Sequence, residues 1–151
     1  MELFKNLLNY DEYLRENPFH RKLGVNLSEY GNLKDKLIRE TYLAVDPNNT
    51  TPFPEEMDDL IRLHYLVTSR KVTTILEIGV GKSTIVFDHA LEQNKKRYSD
   101  YVEKNLRRSN PFECHSIDNN KDWIEFTKSC NPDIQNVSFH HCPFNVTQFN
   151  D

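Results

Sequence analysis

The chain has no long apolar run, no excess of positive charge and no even set of cysteines. Each lack removes a class of protein. The opening MELFKNLLNYDEYL is broken by charge, so it is neither a secretory signal nor a membrane span. Lys and Arg number 19 against 23 Asp and Glu, a net charge of -4, which leaves no electrostatic footprint for nucleic acid. The local basic group of Lys95, Lys96, Arg97, Lys104, Arg107 and Arg108 reads as a solvated helix face. Three scattered cysteines, Cys114, Cys130 and Cys142, imply reduced thiols and a cytoplasmic location. Without secretion, the Asn-x-Ser/Thr triplets at Asn26, Asn48, Asn49, Asn136 and Asn145 are chance matches. There is no internal repeat and no low-complexity tract.

What is present suits a folded chain with one modest core. Its 151 residues are 37% hydrophobic and 28% charged, with 9 Phe and 7 Tyr. Leu3, Phe4, Leu7, Leu8 and Leu14 fall near helical spacing, up to Asn17-Pro18. Leu27, Tyr30, Leu33, Leu37, Ile38, Thr41 and Tyr42 predict a second helix over 27–44, weakened by Gly31. The proline- and asparagine-rich stretch 46–54 reads as a linker, dividing a helical lead over 1–52 from an α/β part over 53–151.

Pro54-Glu55-Glu56 has the chemistry of a helix start. Met57, Leu60, Ile61, His64 and Val67 continue at helical period, with His64 as a core or boundary side chain rather than a ligand. The pattern then predicts a strand over 72–78, a helix over 83–107 with a break in its charged middle, and a strand over 112–117. A helix over 121–130 with Trp123, Ile124, Phe126 and Thr127 inward and a strand over 137–141 complete the series. Such alternation predicts a parallel sheet with crossover helices.

The organising stretch is TILEIGVGKST, residues 74–84. It outlines a buried strand, a tight glycine turn and a helix N-terminus, whose N–H groups and positive dipole end suit a cofactor. A P-loop needs a glycine five residues before Gly81, but that position is Leu76. The dinucleotide fingerprint needs a third glycine where Thr84 stands, and Glu77 would repel a pyrophosphate. Glu77 instead favours a ligand carrying positive charge.

Glu77-x-Gly79-x-Gly81-x-Ser83 resembles the first motif of the class I, Rossmann-like, S-adenosylmethionine-dependent methyltransferases. HSIDNNKDWIEF resembles their second. The resemblance implies a cofactor site made of Glu77, Gly79, Val80, Gly81, Ser83, Thr84, Asp118 and Asn119, holding S-adenosyl-L-methionine. Glu77 would face its ammonium, directly or through water, and Asp118 would accept its ribose hydroxyls, with Asn119 near the adenine. Ser83 or Thr84 can cap the helix and offer a hydroxyl to the methionine carboxylate. Two departures stand out. Asp118 lies 37 residues beyond Gly81, against roughly 20 for a short crossover. His141-Cys142-Pro143 replaces the usual acid after the third strand.

The family's sheet has seven strands, and three are readable here. The expectation is therefore the cofactor half of a methyltransferase, a fragment or natural half-domain, with acceptor and catalytic residues unassigned. The alternative is a non-catalytic α/β module associating through its open sheet edge; a dinucleotide-binding domain is the weaker third reading. Each acid also has a plain structural role, Glu77 as a salt-bridged strand-end acid and Asp118 as a helix N-cap. No metal site is expected, because alternation along a strand sends His140 and His141 to opposite faces and keeps them from converging with His115.

Overall fold

A computed structural model describes residues 8–26, 56–107 and 111–143. The predicted helix over 27–44, the linker and the first residues of the lead lie outside them. Among the described residues there are five helical segments and three strands, and from Met57 onward they follow the predicted order. Helix α1 spans Tyr10–Glu16, capped by Asn9, whose side chain accepts the N–H of Glu12. A 3₁₀ turn, Phe19–Arg21, follows Pro18. Helix α2 spans Met57–Ser69, strand β1 Thr74–Ile78, helix α3 Lys82–Asn105 and strand β2 Glu113–Asp118. Helix α4, Lys121–Cys130, and strand β3, Val137–His141, match their expected bounds.

Among the described residues all strand pairs are parallel, in the order β1-β2-β3, with β1 and β3 at the edges. Val137 of β3 packs with Ala90 and Leu91 of α3, and Phe139 lies under Lys128 of α4, so α3 and α4 cover the same face. On that face Val67, Ala90, Leu91 and Cys114 form a buried cluster joined by Val72, Ile75 and Val137. Leu76 and Ile78 point the other way and are 67% and 78% exposed. Purely parallel sheets are ordinarily covered on both faces, so this apolar face is the unusual feature of the architecture. No helix among the described residues is long and apolar enough to cross a membrane.

The strand predicted from Val72 begins later because Val72 still donates to Val67 O, closing the end of α2. The carbonyl of Thr73 accepts from both Phe112 and Glu113, which sets β2 beside β1. The expected break in α3 is absent: the helix runs 24 residues without interruption. Asn94, in its charged middle, turns inward and donates to Val67 O and Val72 O, both at 2.9 Å. This long helix occupies the extra residues between Gly81 and Asp118.

A second core joins the lead to the α/β part. Leu14 and Phe19 pack with Met57, Leu60, Ile61 and Val86. Within it His64 is fully buried, stacked on Phe19 with ring centroids 4.8 Å apart. Its Nδ1 lies 2.7 Å from Tyr13 Oη and its Nε2 lies 2.9 Å from His89 Nδ1. Burial drives the pKa of His64 down to about 3 and that of His89 to about 4, so both are neutral. Asp88, also buried, accepts from Lys22 Nζ at 3.2 Å and from the backbone N–H of Gln135 and Asn136. One carboxylate thus ties the lead, α3 and the approach to β3 together.

Candidate cofactor site at the glycine turn

Strand β1 delivers Glu77 to the base of the turn, and β2 delivers Ser116 opposite it in register. Glu77 is buried, with 8% of its surface exposed. Its Oε1 accepts from Ser83 Oγ at 2.5 Å. Its Oε2 accepts from Thr84 Oγ1 at 2.7 Å and from Ser116 Oγ at 2.6 Å. Three hydroxyl protons and the N-terminal end of α3 therefore stabilise the carboxylate. Among the described residues no lysine, arginine or histidine forms a salt bridge with it. Among the described residues the salt-bridged alternative is thus replaced by a hydroxyl cage.

The turn itself is held from below. Gly79 N donates to Ile117 O at 2.7 Å, Val80 N to Asp118 Oδ2 at 2.9 Å and Gly81 N to Thr84 Oγ1 at 2.9 Å. Trp123 Nε1 reaches back from α4 to Val80 O at 2.6 Å. With all three N–H groups spent inside the protein, the turn presents no row of donors to a phosphate. That geometry argues against the P-loop reading of the sequence, which needs the loop's own N–H groups.

Asp118 joins two elements. Besides Val80 it accepts Asn120 N on Oδ1 at 2.8 Å. Helix α4 is capped by Asn120, whose Oδ1 accepts Trp123 N at 3.0 Å, so Asp118 is not the N-cap. Each Asp118 oxygen engages one N–H and keeps further acceptor capacity. Asn119 is exposed, and its carbonyl oxygen lies 3.2 Å from His141 Nε2.

Both glycines of the turn leave room above it. Gly79 has φ +95°, a conformation that a side chain would strain. Gly81 has an extended φ, and a Cβ built there would meet nothing within 4 Å. Neither backbone conformation nor neighbouring atoms of the chain account for glycine at 81.

The structure thus brings Glu77, Gly79, Val80, Gly81, Ser83, Thr84 and Asp118 together around one turn, with Asn119 on its rim. Ser83 and Thr84 spend their hydroxyl protons on Glu77, so they meet a ligand only as acceptors. Ser116 was not anticipated, although period-two alternation from buried Cys114 places it inward. Burial pushes the Cys114 thiol up to about 11, an inert core group. His115 and His140 do meet, Nδ1 to Nε2 at 3.0 Å, contrary to the expectation that the strand histidines stay apart. Adjacent strands bring them side by side, a contact that alternation within one strand does not forbid. Among the described residues no three His, Cys, Asp or Glu side chains gather as a metal-binding group. No protein-family model, curated protein or solved structure matches the chain.

Proposed function

We propose that the chain binds S-adenosylmethionine at the glycine turn and forms the cofactor-binding part of a Rossmann-like methyltransferase. The observation that carries this reading is the pairing of Glu77 and Asp118 across a turn whose glycines leave open space above it. A buried carboxylate that pairs with no cation among the described residues suits a cofactor bearing an ammonium and a sulfonium. Two unused acceptor sites on Asp118 suit a pair of vicinal ribose hydroxyls. Asn119, on the rim, would lie near the adenine. A ligand carboxylate would meet the first-turn N–H groups of α3 rather than the Ser83 or Thr84 hydroxyls.

Bound S-adenosylmethionine supplies an electrophilic methyl group. The contribution of these residues is to hold and orient it, since alignment of the reacting atoms carries much of the rate in such transfers. Calorimetric titration with S-adenosylhomocysteine tests the reading. Saturable one-to-one binding is expected, weakened at least about tenfold by Asp118→Ala through loss of a charge-assisted contact. Undetectable binding, or binding indifferent to that change, refutes it.

A second reading has its own support. The hydroxyl cage makes Glu77 a structural hub without any ligand, and Leu76 and Ile78 lie exposed on the open face. A non-catalytic module that associates through this sheet would show both features. Concentration-dependent sedimentation without cofactor binding would favour it.

A further inference from the structure

Behind the turn, on the helical side, lies a groove of about 390 Å³. Three segments build it: residues 21–24 of the lead, the first turn of α3, and the outer side of α4. Neither Glu77 nor Asp118 lines it, although Gly81 stands on its wall. Its size falls within the range of small-molecule sites.

The lining has a definite chemistry. Trp123 and Phe126 stack at 5.4 Å with their planes 24° apart, one helical turn from each other on α4. Phe126 was expected in the core but is 52% exposed, an apolar face turned into the groove. Arg21, Lys22 and Lys82 also line it, and among the described lining residues there is no carboxylate. Lys22 is already engaged by Asp88 at 3.2 Å and Glu92 at 3.6 Å, so it holds the wall in place. The groove thus sets a stacked aromatic pair across from the exposed guanidinium of Arg21. Gly24, with φ +70° and nothing within 4 Å of a built Cβ, keeps the wall formed by the lead low.

We infer that this groove is a second binding site, which takes a small aromatic anion: a planar ring on the Trp123–Phe126 surface, with a carboxylate, sulfonate or phosphate toward Arg21. Offset stacking and cation pairing would each contribute, and neither alone would suffice. Because Trp123 also donates to Val80 O, a ring in the groove sits one residue away from the cofactor turn. The site stands on residues separate from the two acids and does not depend on the cofactor reading.

Trp123 is the only tryptophan in the chain, so its emission reports on this groove alone. The probe is anilinonaphthalene sulfonate, titrated into the full chain while energy transfer from Trp123 is followed. Saturable transfer is expected, together with protection of Cys130, a groove residue, from iodoacetamide in peptide mass spectra. Phe126→Ala and Arg21→Gln should each weaken binding about tenfold; both side chains are exposed, and circular dichroism should show an unchanged fold. Binding of S-adenosylhomocysteine should be the same in both variants, which separates a failure here from a failure at the turn. Absence of saturable transfer would overturn the inference. So would an affinity in both variants equal to that of the unaltered chain, or equal affinity for uncharged naphthol.

Discussion

Asp118 Oδ2 accepts the backbone N–H of Val80 at 2.9 Å, so the last residue of β2 fixes the middle of the turn that follows β1. The contact spans 38 residues of sequence and makes turn and acid one unit. Removing the carboxylate should cost about 1–3 kcal/mol, the range for leaving a partner of a charged group unsatisfied. Asp118→Asn keeps one acceptor oxygen and should lose less than Asp118→Ala. Urea unfolding measures the difference, and hydrogen exchange at Val80 should accelerate most in the alanine variant. Equal stability of all three proteins would contradict the role.

Glu77 faces a stricter demand. Its two oxygens receive three hydroxyl protons, while the amide of glutamine accepts on one oxygen only. Glu77→Gln should therefore destabilise the fold by about 2–3 kcal/mol. Ser116→Ala in that background should recover part of the loss by removing a proton with nowhere to go. Additive losses in the double variant, measured by urea unfolding, would argue against the cage.

The histidine pair sets a pH dependence. His64 and His89 have folded pKa values of about 3 and 4, while an unfolded histidine titrates near ~6.5. The unfolded chain therefore binds more protons between these values, and stability falls as pH drops below ~6.5. The contribution is complete above that pH and is lost progressively toward pH ~4. At pH 5 each histidine should account for about 2 kcal/mol. His64→Phe, which can still stack on Phe19, should reduce the slope of stability against pH. A slope unchanged in that variant would contradict the assignment.

Local pattern made much of this architecture readable. Helix α4 and β3 carry their boundaries in Asn120, Asn131-Pro132 and the apolar periods between them. The turn announced itself through Glu77, Gly79 and Gly81. What stayed hidden depends on partners distant in sequence. Ser116 joins Glu77 only through strand register, and Asp88 meets Lys22 only because the lead folds back on α3. Asn94 sits in a charged run that reads as a helix break, yet its amide satisfies two carbonyls of the α2–β1 connection. Phe126 occupies a helical position that pattern alone assigns to the core, yet 52% of it is exposed.

Gly81 offers the most direct test of the central claim. Its φ is extended and, apart from its own chain neighbours, no described atom lies within 4 Å of a built Cβ, so a methyl group there should leave the fold within about 0.5 kcal/mol of its original stability. If the turn is built for S-adenosylmethionine, that methyl occupies the space of the ligand. Calorimetric titration of S-adenosylhomocysteine into the unaltered chain and into Gly81→Ala should show one-to-one binding in the first and at least about a tenfold loss in the second. Equal binding in the two proteins, or none in the unaltered chain, would contradict the account.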